Sequence, residues 1–78
     1  MYYVYAIQSL KKDWLYVGIT DNLERRLEQH NKGYNRSTKP YLPFQLVYFE
    51  EKVDRKSARL REKYLKTASG KRWLKKQK

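Results

Sequence analysis

The chain has 78 residues, no cysteine, and a formal net charge of +11 from 19 Lys and Arg against 8 Asp and Glu. That length predicts a single domain over 1–78, close to the lower size limit for a core that folds unaided, and the missing cysteines exclude both a disulfide framework and a thiolate metal site. No apolar run approaches the roughly 20 residues that cross a bilayer and no basic-then-apolar leader opens the chain, so the sequence reads as a cytoplasmic protein with no membrane partner.

Aromatic burial has to supply the stability that staples would otherwise give, and the 15% aromatic content, with eight tyrosines, predicts that it does. The charge is uneven. Residues 1–33 hold five Lys and Arg against four acids, while residues 34–78 hold fourteen against four. Such a field concentrates polyanions, of which nucleic acid is the commonest, although a basic surface also serves solubility alone.

Residues 2–8 (YYVYAIQ) and 14–20 (WLYVGIT) are rich in β-branched and aromatic types, and the polar SLKKD between them predicts a β-hairpin. A loop over Ser9 to Lys12 sets Tyr5 opposite Tyr16, Tyr3 opposite Gly18 and Ile7 opposite Trp14 on one face. Val4, Ala6, Leu15, Val17 and Ile19 then make a purely apolar second face, which selects this register over a one-residue slip.

From Asp21 the period becomes helical. Leu23, Leu27 and His30 repeat on one side, Asp21 with Glu24 reads as a capping box, and Gly33 marks the end, which predicts a first helix over about 21–32. YNRSTKPYLP, with two prolines and two basic residues, predicts an exposed loop, and FQLVYFE a third strand over about 44–50. Asp54 caps a second helix over about 55–67, and Ser69 and Gly70 open a short basic third helix carrying Trp73 and Leu74. The order ββαβαα is an α+β domain: a small three-stranded antiparallel sheet flanked by three helices.

Arg26 and His30 are four residues apart and share one side of the first helix, His30 at the border of the leucine stripe, which places a cation and an imidazole at the sheet's edge. A lone His beside such a stripe is more often a bonded core residue. Glu62 shares a face with Ala58 and Leu65, and an acid on the core side needs a partner or a metal; Lys66, four residues on, is the simplest partner. With one His and no Cys, a zinc site is not expected. Arg25 and Lys32 on the helix, and Arg36 and Lys39 in the basic loop, are the expected nucleic-acid contacts.

These positions together resemble the GIY-YIG nuclease superfamily, in particular its small stand-alone bacterial members and the N-terminal nuclease domain of the excision-repair endonuclease. The first triplet is Tyr3-Val4-Tyr5 and the second Tyr16-Val17-Gly18, with ten residues between them. Asn22-Leu23-Glu24-Arg25-Arg26 fits the family's arginine motif with Arg26 in the arginine's place, His30 follows four residues later, and Glu62 follows Ala58 in SARLRE. The likeness spans Tyr2 to about Leu65 or Lys66. Tyr3 stands where the first triplet has its glycine, and no appended DNA-recognition domain is expected.

The resemblance implies phosphodiester hydrolysis in DNA, structured or branched DNA included. Glu62 would hold one Mg²⁺ or Mn²⁺, Arg26 would neutralise phosphate charge, and Tyr5 or Tyr16 would act as general base, a demanding role for a phenol whose ordinary pKa is about 10. Tyr16, which starts the better-matched triplet, is the first choice, and His30 would relay a proton or place the water. The rival readings are a nucleic-acid-binding module that keeps the fold without cleaving, and an RNA- or ribosome-associated factor. A monomer is assumed.

Overall fold

The structure, a computed structural model, describes residues 1–77. Strands β1 (Tyr2–Ser9), β2 (Leu15–Thr20) and β3 (Phe44–Lys52) form one antiparallel sheet in the order β2-β1-β3, and the helices α1 (Leu23–Asn31), α2 (Arg55–Leu65) and α3 (Ala68–Lys76) complete the expected ββαβαα order. Because β1 is central, both of its faces need cover. Val4 and Ala6 pack with Val17, Ala58, Leu65 and Leu74 under α2 and α3, while Tyr5 and Ile7 pack with Phe44, Trp14, Leu23 and Leu27 under α1. The side-chain alternation of β1 thus feeds two cores, one aliphatic and one aromatic.

The hairpin turn falls one residue later than expected. Ser9 N donates to Trp14 O at 2.9 Å, and the Ser9 hydroxyl accepts from Lys11 N and Lys12 N at 3.1 Å each, so Leu10–Asp13 form the turn. Ser9 therefore stays in the strand, its hydroxyl donating to Tyr41 O at 2.6 Å. Moving a turn by one residue shifts register by two, which preserves the faces and changes the partners. Tyr5 lies opposite Gly18, Ile7 opposite Tyr16 and Tyr3 opposite Thr20.

Helix ends follow side-chain capping. Asn22, not Asp21, caps α1, its Oδ1 accepting from Arg25 N at 3.0 Å; Thr20 Oγ1 accepts from Asn22 N at 3.1 Å and sets that turn. Asp21 instead pairs with the Arg25 guanidinium. Gly33, at φ +78°, closes the helix as expected, since that backbone conformation favours glycine. Asp54 caps α2 through Ser57 N at 2.8 Å, as predicted. α2 stops at Leu65 because Thr67 caps α3, accepting from Gly70 N at 3.0 Å; Ser69 and Gly70 therefore lie inside the first turn of α3. A Cβ on Gly70 would collide with the backbone of Tyr64 and Leu65, so the tight α2–α3 turn requires glycine there.

The loop before β3 is only partly exposed. Arg36 and Lys39 face solvent, but Thr38 is fully buried and Tyr41 stacks on Trp14 with centroids 3.9 Å apart. Aromatic stacking and a buried hydroxyl tie this loop to the sheet. No helix among the described residues is long and apolar enough to cross a membrane.

Candidate active site

Tyr5 and Tyr16 share the aromatic face, on neighbouring strands, with ring centroids 6.4 Å apart. Their contact is diagonal, because Gly18 occupies the place directly across from Tyr5. A Cβ at Gly18 would lie 2.6 Å from Tyr5 Oη and 2.8 Å from its Cζ. The glycine of the second triplet is thus the floor on which the tyrosine of the first triplet lies.

The Tyr5 hydroxyl sits in a buried hydrogen-bond chain. Its Oη is 2.9 Å from His30 Nε2, and His30 Nδ1 is 2.9 Å from Thr38 Oγ1, which donates to Asn35 O at 3.3 Å. Arg26 Nε donates to the same Tyr5 oxygen at 3.4 Å. Only one proton order satisfies every member: Arg26 to Tyr5, Tyr5 to His30 Nε2, His30 Nδ1–H to Thr38, Thr38 to Asn35. That order makes His30 neutral and keeps the proton on Tyr5.

The electrostatics agree with that order. Burial pushes the Tyr5 pKa up to about 12, against the lowering pull of its bond with Arg26, while Tyr16 and Glu62 add smaller upward pushes. Burial, reinforced by the Arg26 charge, brings His30 down to about 4. The expectation of an imidazole at the sheet's edge is therefore corrected: His30 is fully buried with both ring nitrogens engaged, since the 3.6-residue repeat turns its ring inward with the leucines.

A pH dependence of stability follows. The unfolded chain binds the His30 proton at an ordinary pKa of 6.5 while the folded chain resists it to about 4. Stability from this group is complete above pH 6.5 and is lost as pH falls from there towards 4. The difference corresponds to about 3 kcal/mol at roughly 1.4 kcal/mol per pH unit. Urea midpoints should fall across that window in the wild type, and His30→Gln should flatten the slope whatever its absolute stability. Equal slopes in the two proteins would refute this.

Arg26 is half-buried between the tyrosines, its Nη1 donating to Gln29 Oε1 at 3.2 Å. Burial disfavours its charge, yet contact with Tyr5 and then Tyr16 outweighs that and holds its pKa above the ordinary value. Glu62 approaches from α2. Its side chain is 15% exposed, and Lys66 Nζ lies 3.2 Å from Oε2, the ion pair that the spacing predicts. Lys66 Nζ also lies 5.9 Å from the centroid of the Tyr16 ring, so polar groups of α1 and α2 converge along β2, an edge strand.

Among the described residues no three His, Cys, Asp or Glu side chains cluster to form a closed metal cage. A single, largely shielded carboxylate with one displaceable ammonium partner fits a Mg²⁺-like ion that keeps waters and takes its other ligands from a phosphate. Of the expected contact residues, Arg25 lies beside Arg26, Lys32 is paired with Glu28 at 2.6 Å, and Arg36 and Lys39 are exposed on the loop. Thr38 was not anticipated, and nothing local separates it from Ser37; only the fold brings it to His30.

The model of a GIY-YIG catalytic domain matches residues 1–77. A UPF0213 protein of Clostridium perfringens is 42% identical over 67 residues, covering 85% of this chain and 71% of that protein. UPF0213 proteins of Staphylococcus saprophyticus, 38% identical over 76 residues and covering 95% and 90%, and of Haloquadratum walsbyi, 37% identical over 67 residues and covering 85% and 74%, are also similar. No solved structure matches the chain. With the family model matching nearly the whole of this chain, the chain belongs to the GIY-YIG family.

Proposed function

We propose that the chain is an endonuclease that hydrolyses phosphodiester bonds in DNA with the help of one divalent metal ion, Mg²⁺ or Mn²⁺. The observation that carries this reading is the convergence of Tyr5, Tyr16 and Arg26 at the β2 edge where the Glu62–Lys66 pair arrives from α2. Family membership supports nuclease chemistry; the roles below rest on the geometry.

Tyr16, in its phenolate form, accepts the proton of the attacking water, and the departing 3′ oxygen takes a proton from solvent. Tyr5 is not available for that role, because burial holds its proton in place, with a pKa pushed up to about 12, and that proton is committed to His30. Tyr5 instead holds Arg26, whose guanidinium neutralises the phosphate as the new P–O bond forms and the bond to the 3′ oxygen breaks. His30 and Thr38 act through Tyr5 as positioning residues. Glu62 would hold the ion, in place of its present Lys66 partner. When bound, the ion supplies charge stabilisation to the phosphate and the leaving oxygen.

The test is nicking of supercoiled plasmid and of labelled branched DNA. Cutting with Mg²⁺ or Mn²⁺ that stops with chelator is expected. Binding without cutting under every metal tried would favour the non-catalytic module.

A further inference from the structure

A cleft of about 410 Å³ opens beside Arg26, lined by Tyr2, Ile19, Thr20, Gln29 and a charged group of Arg25, Arg26, Arg55 and Asp21. Its volume lies within the ordinary range of ligand sites, about 300–1,000 Å³. Its charge is strongly biased: three arginines face one aspartate, and that aspartate is already paired with Arg25. Arg26 and Arg55 have no carboxylate partner among the described residues.

Arg55 stands in the first turn of α2, while Arg25 and Arg26 stand on α1. The fold therefore draws cations from two helices to one cleft, although adjacent cations repel. An anion resolves that repulsion, and arginine suits phosphate because its planar fork donates to two oxygens at once.

Arg26 links the cleft to the tyrosines, since its Nε reaches Tyr5 while its side chain lines the cleft wall. A phosphate in the cleft is thus one side chain away from the one at the tyrosines. Tyr2, also in the lining, offers an aromatic surface for the attached sugar or base.

We infer that this cleft is a second phosphate subsite, which holds a backbone phosphate of the DNA strand next to the one being cleaved, with Arg55 as its distinguishing residue. The term "next to the one being cleaved" rests on the nuclease reading, whereas the phosphate chemistry does not. Arg55 is exposed and makes no cap or core contact among the described residues, so its replacement leaves the fold intact.

The experiment measures binding of a short fluorescein-labelled DNA by anisotropy, in chelator so that nothing is cut, across a salt series. Arg55→Gln should weaken binding about tenfold at low salt and reduce the salt slope by about one, while Arg55→Lys recovers the slope. Arg72→Gln, an equally basic position on α3, is the control. Equal losses at Arg55 and Arg72, or none at Arg55, would overturn the subsite. Displacement of the strand by micromolar nucleoside monophosphate would overturn it in favour of a free-nucleotide pocket. The same Arg55 effect in a protein that never cuts DNA would sink the nuclease reading alone and leave the phosphate subsite supported.

Discussion

Tyr16→Phe should lower the single-turnover rate of DNA cleavage by about 100- to 10,000-fold, the range over which positioned general bases act, with DNA binding unchanged. The substitution removes one oxygen from a half-buried ring that stays packed beside Trp14, Tyr5 and His30. Tyr5→Phe makes the opposite pattern. It strands His30 Nε2 in a fully buried site and frees Arg26 from its anchor, so the cost appears first in stability, about 1–3 kcal/mol, and only then as a smaller loss of rate. Thermal melts and rates on both variants separate the two roles. A Tyr16→Phe protein that cuts normally while a folded Tyr5→Phe protein does not would reverse the assignment of the base.

Local signals in the sequence were good guides to whatever local chemistry decides. The two faces of the hairpin follow from alternation, which survives the two-residue change of register that the Ser9 hydroxyl imposes. Asp54 and Gly33 end their helices as their types predict, whereas Asn22 displaced Asp21 as a cap because Thr20 placed the turn one residue later. Spacing alone put Arg26 and His30 on one helix side and Glu62 beside Ala58 and Leu65. Long-range pairing was not legible. The burial of His30 depends on Thr38, and the basic cleft depends on Arg55 folding back to α1, neither of which leaves a mark in the neighbouring sequence. Family resemblance connected the tyrosines with Glu62; periodicity did not.

Glu62→Gln should lower metal-dependent cleavage about 100- to 1,000-fold, as expected for loss of electrostatic stabilisation at a transferring phosphate. The change keeps side-chain volume and removes charge. Its structural cost is small, because the Lys66 partner is half exposed and i,i+4 pairs of this kind contribute only about 0.3–0.5 kcal/mol. DNA binding in chelator should hold or tighten slightly, since one negative charge leaves a cationic surface. Lys66→Ala supplies the complementary test. With its ammonium gone from Oε2, the Glu62 carboxylate needs no ion-pair exchange before it takes a metal, so half-maximal cutting should need less Mg²⁺. Were Lys66 instead a phosphate contact, the same variant would weaken DNA binding and leave the metal requirement unchanged. A Glu62→Gln protein that cuts at the wild-type rate, from a preparation free of other nucleases, would remove Glu62 from the site and with it the single-ion scheme.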